Sequence, residues 1–183
     1  IKLKKLKQIF LVFSLAVIVG WGILQGSQTA EKRLGDFVNG LNNPANASYH
    51  VQRATEAFLE GGWFGVGIGN SEIKLLGLPV PPTDSIFAVI GEETGMLGTT
   101  IVIIGYSILL FRGMVIAKNS PDMLGSLIAA GLSFWIAVEA FINMGVLVGL
   151  LPFAGNALPF ISYGGSSLIA TLCSIGIIMN ISK

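Results

Sequence analysis

LPVPPTDSIFAVIGEETGMLG, residues 78–98, joins a proline-stiffened polar segment to the start of a long apolar run. Pro79, Pro81 and Pro82 disfavour helix up to Thr83 and Asp84, because each proline lacks an N–H and restricts the residue before it. From Thr94 to Phe111 there is no charged residue, a run long enough to read as a membrane span. Asp84 stands at the mouth of that span, with Glu92 and Glu93 two turns further in. Carboxylates at a lipid–water boundary are costly unless they are paired, hydrated or used in chemistry. This stretch is therefore the first place to look for function.

The rest of the chain agrees with a membrane setting. Of 183 residues, 52% are hydrophobic and 11% are charged, against roughly 25% charged in a soluble domain. Mean hydropathy is +0.76. A net charge of +1 with no basic stripe gives no footprint for nucleic acid. Glycine, 24 residues, is enriched over the usual ~7%, as close helix packing in lipid favours. The single Cys173 builds neither a disulfide nor a thiolate metal site within one chain.

Taken in order, KLKKLK at residues 2–7 precedes a first apolar run, and the first residue is Ile rather than Met, which suggests a piece of something longer. The spans fall at about 8–26, 85–111, 123–151 and 162–181, with a polar loop at about 27–84. Within that loop, helices are expected at Ala30–Leu41 and Tyr49–Glu60, and a turn at the glycine cluster GGWFGVGIG, residues 61–69. The fold expected is an all-α polytopic membrane protein, one membrane domain over residues 1–183, with four transmembrane helices and one large extracytoplasmic loop. Four lysines before the first span, Arg112 and Lys118 after the second, and Lys183 after the fourth outweigh the four cations of the long loop. By the positive-inside rule both ends face the cytoplasm and the loop with Asp84 faces outward.

Each polar candidate has a functional and a structural reading. Asp84 is either a general base or ligand for a hard cation, or, with Thr83, a helix N-cap. Glu92 lies ~12 Å further along a straight helix, too far to share a proton with Asp84, so Glu92 and Glu93 line a wet cavity or bond a neighbouring element. Glu139 and Asn143 are four residues apart and share a helix face, as interhelical glue or as part of a polar path. Ser162, Tyr163, Gly164, Gly165 and Ser166 open the last span, either to receive a phosphate at a helix N-terminus or for close packing. Arg33, Gln52, Arg53 and Lys74 offer polar and cationic groups to a diphosphate, or are ordinary loop residues. GVGIGN, residues 65–70, lacks the spacing and the preceding strand of a dinucleotide loop, and His50 has no histidine partner for zinc.

Three stretches, LEGGWFGVGIG, LPVPPTDSIFAVIGEETGMLG and FINMGVLVGLLPFAGNALPFISYGGSS, resemble the SEDS family, the FtsW/RodA/SpoVE group of bacterial cell-wall proteins. Their order and spacing match from Arg33 onward, and the PPTDS and LPFISYGGSS strings look nearer the division type than the elongation type. Val80, Pro82 and Ser85 depart from the family's LPExHTDF-like string, and Glu139 stands where glutamine is expected. The resemblance implies the last four of about ten spans and a bacterial cytoplasmic-membrane location. It implies a peptidoglycan glycosyltransferase that polymerises lipid II, with Asp84 activating the acceptor hydroxyl, alone or with Mg²⁺ or Mn²⁺. It also implies as partners lipid II, a class B penicillin-binding transpeptidase and other divisome or elongasome membrane proteins. The competing functions are a lipid II flippase and a non-catalytic scaffold for the transpeptidase.

Overall fold

The structure, a computed structural model, describes residues 14, 27–43, 46–72 and 83–182. The expected first span and Lys74 lie outside the described residues. Five helices follow: α1 Gln28–Asn42, α2 Tyr49–Gly61, α3 Ile86–Asn119, α4 Met123–Leu147 and α5 Gly165–Ile181. Among the described residues there is no strand. The two short loop helices sit where the sequence places them. Ser27 caps α1, its hydroxyl accepting from the Ala30 N–H, with Glu31 in the first turn where a negative charge suits the positive helix end.

Two described helices, α3 and α4, are long and apolar enough to cross a bilayer, and α5 is apolar and shorter at 17 residues. The helix of the second span starts where expected but runs to Asn119 rather than stopping at Phe111. Arg112 and Lys118 therefore lie in its final turns and not in a loop. Nothing in residues 112–119 breaks a helix, and the reversal waits for Ser120 and Pro121; Asp122 then caps α4, accepting from the Gly125 N–H at 2.8 Å. At its far end α4 stops at Leu147, four residues short of the expected Leu151, and Gly149 turns the chain at φ 74°. Residues 148–164 form one non-helical connection, and α5 begins at Gly165 rather than Ser162.

α3 is broken. Gly95 has φ 68° and ψ −164°, dividing a short arm, residues 86–94, from a long arm, residues 96–119. In an unbroken helix the N–H groups of Met96 and Leu97 would bond the carbonyls of Glu92 and Glu93. The break frees all four groups, and buried backbone groups need partners. The glycine loop after α2 supplies them one for one. Met96 and Leu97 donate to the carbonyls of Gly62 (2.9 Å) and Trp63 (3.3 Å), while Val66 and Gly67 donate to the carbonyls of Glu92 (2.9 Å) and Glu93 (3.1 Å). A β-carbon on Gly65 would stand 2.1 Å from the Glu93 carbonyl oxygen, and one on Gly95 2.5 Å from the Gly65 nitrogen. Backbone lies directly on backbone at Gly61, Gly65 and Gly95, which explains those three glycines.

The core collects Ala54 and Ala57 of α2, Phe87, Ala88, Val89 and Tyr106 of α3, Ala140, Met144 and Leu147 of α4, and Leu158 of the connection. Small residues let α3 and α4 approach closely: Gly113 faces Ser133 with no room for a methyl between them. The loop helices α1 and α2, the Gly95 break, Asp84 and the 148–164 connection gather at one end of the α3–α4 pair. Ser120–Asp122 closes the other end.

Candidate functional site

Asp84 sits one residue ahead of the α3 N-cap. That position is held by Ser85, which makes no side-chain cap bond. The structure thus corrects the capping reading for Thr83 and Asp84: the Asp84 carboxylate is not turned into the helix end. It is half-buried and accepts a hydrogen bond from the Thr83 hydroxyl at 3.2 Å.

What fixes Asp84 is its main chain. The Asn143 side-chain amide donates to the Asp84 carbonyl at 2.8 Å and also to the Asn156 carbonyl. The Ser162 hydroxyl donates to the Thr83 carbonyl and accepts from the Leu158 N–H at 2.7 Å. Tyr106 closes the arrangement from the long arm, its hydroxyl donating to the Pro159 carbonyl. Asn143, Ser162 and Tyr106 are all buried. Three side chains from α4, the connection and α3 thus lock residues 83–84 and 156–162 into one unit, with Gly155 against the carboxylate. A β-carbon on Gly155 would lie 3.6 Å from Asp84 Oδ2 and 3.8 Å from Phe153 Cε1. The result is an oriented carboxylate on a rigid frame, the arrangement that general-base chemistry needs.

Glu92 serves the frame. It is 1% exposed and its carboxylate accepts from the Ser71 hydroxyl and from the Glu72 N–H at 2.8 Å. Those bonds, spanning about twenty residues, tie the end of the glycine loop to the short arm, so Glu92 takes the structural alternative. Glu93 is half-buried, and its Oε1 has no hydrogen-bond partner among the described residues.

Of the cationic candidates, Arg33 is exposed and places its guanidinium 5.7 Å from the centroid of the Phe153 ring. His50 stacks on the same ring, centroids 4.3 Å apart and 13° from parallel. Phe153 adjoins Gly155 and, through it, Asp84, while Arg33 and His50 pack on the Phe153 ring. Arg53 is engaged elsewhere, donating to Glu56 at 2.6 Å and to the Tyr49 hydroxyl at 3.2 Å. The Tyr49 hydroxyl first, and Glu56 second, hold its proton more tightly than usual. Gln52 donates to the Ala47 carbonyl at 2.7 Å and braces the turn before α2.

At the start of α5, Ser162 belongs to the frame, whereas Tyr163 is 83% exposed and Gly165 and Ser166 are exposed. Gly164 holds the N-cap without a side-chain bond. His50, Tyr106, Phe153 and Gly155 are the site residues that sequence reasoning missed. Tyr106, the only tyrosine in an otherwise apolar span, carried a signal, since a buried tyrosine hydroxyl needs a partner. Among the described residues, no three His, Cys, Asp or Glu side chains converge as a metal cluster.

Comparison with known proteins places this geometry. The model of the FtsW/RodA/SpoVE cell cycle protein family matches residues 2–183. Stage V sporulation protein E of Bacillus subtilis is 40% identical over 162 residues, 88% of this chain and 44% of that protein. The probable peptidoglycan glycosyltransferase FtsW of Trichlorobacter lovleyi is 43% identical over 151 residues, 82% of this chain and 40% of that protein. The chain thus spans less than half the length of these relatives. A solved peptidoglycan synthase complex, described as coordinating polymerization and crosslinking, superposes with a TM-score of 0.70 at 26% identity. The match covers 95% of this chain and 48% of the solved one. Rod shape determining protein RodA of Thermus thermophilus gives 0.56 at 30% identity, covering 70% of this chain and 39% of the solved one.

Proposed function

The chain belongs to the FtsW/RodA/SpoVE family of cell cycle proteins, and from that membership we propose that it forms part of a membrane peptidoglycan glycosyltransferase polymerising lipid II. The observation that carries the proposal is Asp84, a half-buried carboxylate whose peptide unit is clamped by Asn143 and Ser162. In the proposed step, Asp84 takes the proton of the acceptor sugar's 4-hydroxyl as that oxygen attacks the donor's anomeric carbon. The bond from that carbon to the lipid diphosphate breaks, and the diphosphate leaves with the electron pair. Arg33, beside Phe153, is the described cation placed to meet that negative charge. Were a Mg²⁺ or Mn²⁺ to bind here, Asp84 is the described carboxylate that would hold it, and the cation would supply positive charge to the leaving diphosphate.

The lipid II flippase reading would need polar groups continuing away from the site. Asn143, one of the two that motivated it, instead spends its amide on the Asp84 and Asn156 carbonyls, which favours the polymerase. The proposal places the Asp84 end outside the bacterial cytoplasmic membrane and the Arg112–Lys118 end in the cytoplasm. A class B penicillin-binding transpeptidase is the proposed partner, consistent with the synthase complex among the structural neighbours; further divisome or elongasome proteins belong to the same proposal. The test uses the full-length protein in detergent with lipid II. Asp84→Asn is expected to abolish glycan polymerisation while leaving the thermal midpoint within a degree or two of wild type. Retained polymerisation would overturn the assignment.

A further inference from the structure

The glycine loop that splices the Gly95 break also carries a surface that the catalytic proposal does not use. Trp63, Phe64 and Ile68 are 68%, 81% and 85% exposed, and Leu59 of α2 stands out beside them. No charged residue lies between Glu60 and Glu72. Four backbone hydrogen bonds to the broken helix hold the loop in place, so these side chains are displayed by a rigid support.

The patch continues into a helix face of known character. On the long arm of α3, Leu97, Ile101, Ile104, Ile108 and Phe111 are exposed. Their spacing of three and four places them on a single stripe. Thr99, Tyr106, Gly113 and Ala117, on the protein-facing side, are buried. Helix faces that pack on other helices in a membrane favour small residues. The exposed stripe is uniformly bulky, as a hydrocarbon-facing surface is. The loop thus extends a lipid-facing stripe at the level where the long arm begins, and it does so with tryptophan and phenylalanine, the residue class that belongs at a bilayer interface. Trp63, Leu59 and Met96, with Phe58, Phe87 and Ile103, also line an apolar groove of about 530 Å³, concave enough to accept a hydrocarbon chain.

We propose that residues 63–68 form a bilayer-inserted anchor, seated in the headgroup and upper acyl region of the leaflet on the Asp84 side, with lipid as the occupant of the surface. Because the loop is bonded to the α3 break, its seating fixes the height of the short arm and of Asp84 above the hydrocarbon. Ordinary phospholipid suffices as the partner.

The test is nitroxide scanning of the full-length protein, with its native cysteines replaced, reconstituted in phosphatidylethanolamine–phosphatidylglycerol vesicles. Labels are placed at Phe64→Cys and Ile68→Cys, with Ile104→Cys as the hydrocarbon reference and Glu56→Cys as the aqueous one. Collision rates are read with oxygen, which partitions into lipid, and with a water-soluble nickel chelate. The expected result is an oxygen-to-nickel ratio at 64 and 68 several-fold above that at 56 and approaching that at 104. A ratio equal to that at 56 places the loop in water and overturns the proposal. Protection from both reagents shows a protein covering the loop and overturns it equally. All four positions are exposed, so the labels do not disturb the core, and the readout is independent of polymerase activity.

Discussion

Replacing Gly95 with alanine tests the account of the broken helix. The backbone at Gly95, φ 68° and ψ −164°, belongs to a region that is essentially glycine-only. The added methyl would stand 2.5 Å from the Gly65 nitrogen and 2.6 Å from the Phe64 nitrogen. The variant has two ways out. It can keep the break, at a backbone strain of ~1–3 kcal/mol plus displacement of the loop. Alternatively it can relax to regular helix and re-pair Met96 and Leu97 with Glu92 and Glu93. That strands the Gly62 and Trp63 carbonyls and the Val66 and Gly67 N–H groups of the loop. Four bonds are lost and two regained, so at ~0.5–1.5 kcal/mol per net lost bond the second route costs about 1–3 kcal/mol. Either way the loss comes to about 2 kcal/mol, and at ~2–4 °C per kcal/mol for a unit of this size the thermal midpoint falls by about 4–8 °C. The assay is thermal unfolding of the full-length protein in detergent, followed by far-ultraviolet circular dichroism. Gly105→Ala is the control: it lies within the same helix, is exposed and has nothing within 4 Å of its β-carbon. It should be neutral or stabilising by up to about 1 kcal/mol. A Gly95→Ala midpoint no lower than that of the control would refute the splice.

The same frame yields further expectations. Asn143→Ala removes the donor for the buried Asp84 and Asn156 carbonyls. Stability should drop by about 2–4 kcal/mol, and polymerisation should fall in kcat more than in KM, measured on protein selected as folded by size exclusion. Ser162→Ala loses the bond to the Thr83 carbonyl and leaves the Leu158 N–H unpaired; a fall of about 1–3 kcal/mol in stability should appear in a denaturant titration. Arg33→Ala should raise KM for lipid II several-fold, whereas Arg53→Ala, whose guanidinium is already held by Glu56 and Tyr49, should leave KM unchanged. Equal effects of the two would remove Arg33 from the site.

How far the sequence carried this reading follows from the range of each interaction. The two loop helices were legible because helix signals are local; the structure adds the Ser27 cap ahead of α1 and starts α2 one residue after Ser48. The two long apolar helices were legible from composition, and Asp84 drew notice as a candidate from its place between a proline segment and a span. The ends of α3 and α4 were not, because charge marks where a helix meets water rather than where it stops. Arg112 and Lys118 were mistaken for a loop on that ground. The short arm was misread in a similar way, as the straight start of a span. Gly95 is unremarkable in a glycine-rich chain until the loop thirty residues earlier is seen lying on it.

Asp84 itself shows why a site can be located in a sequence while its mechanism stays hidden. Its position is signalled locally, but its orientation is set by Asn143, 59 residues further along, and by Ser162, 79 residues beyond Thr83. Both looked like groups with functions of their own, one a buried polar residue in a span and the other the start of a glycine-rich helix entry. They act instead on main-chain carbonyls, which no side-chain pattern can announce. Tyr106, acting on the Pro159 carbonyl, does the same from the opposite direction. A carboxylate fixed mainly by its own backbone spends one described bond on its oxygens, from the Thr83 hydroxyl to Oδ1, whereas one fixed through both oxygens, as Glu92 is by Ser71 and Glu72, has spent them. That contrast, more than proximity to the span, separates Asp84 from Glu92 as the candidate base.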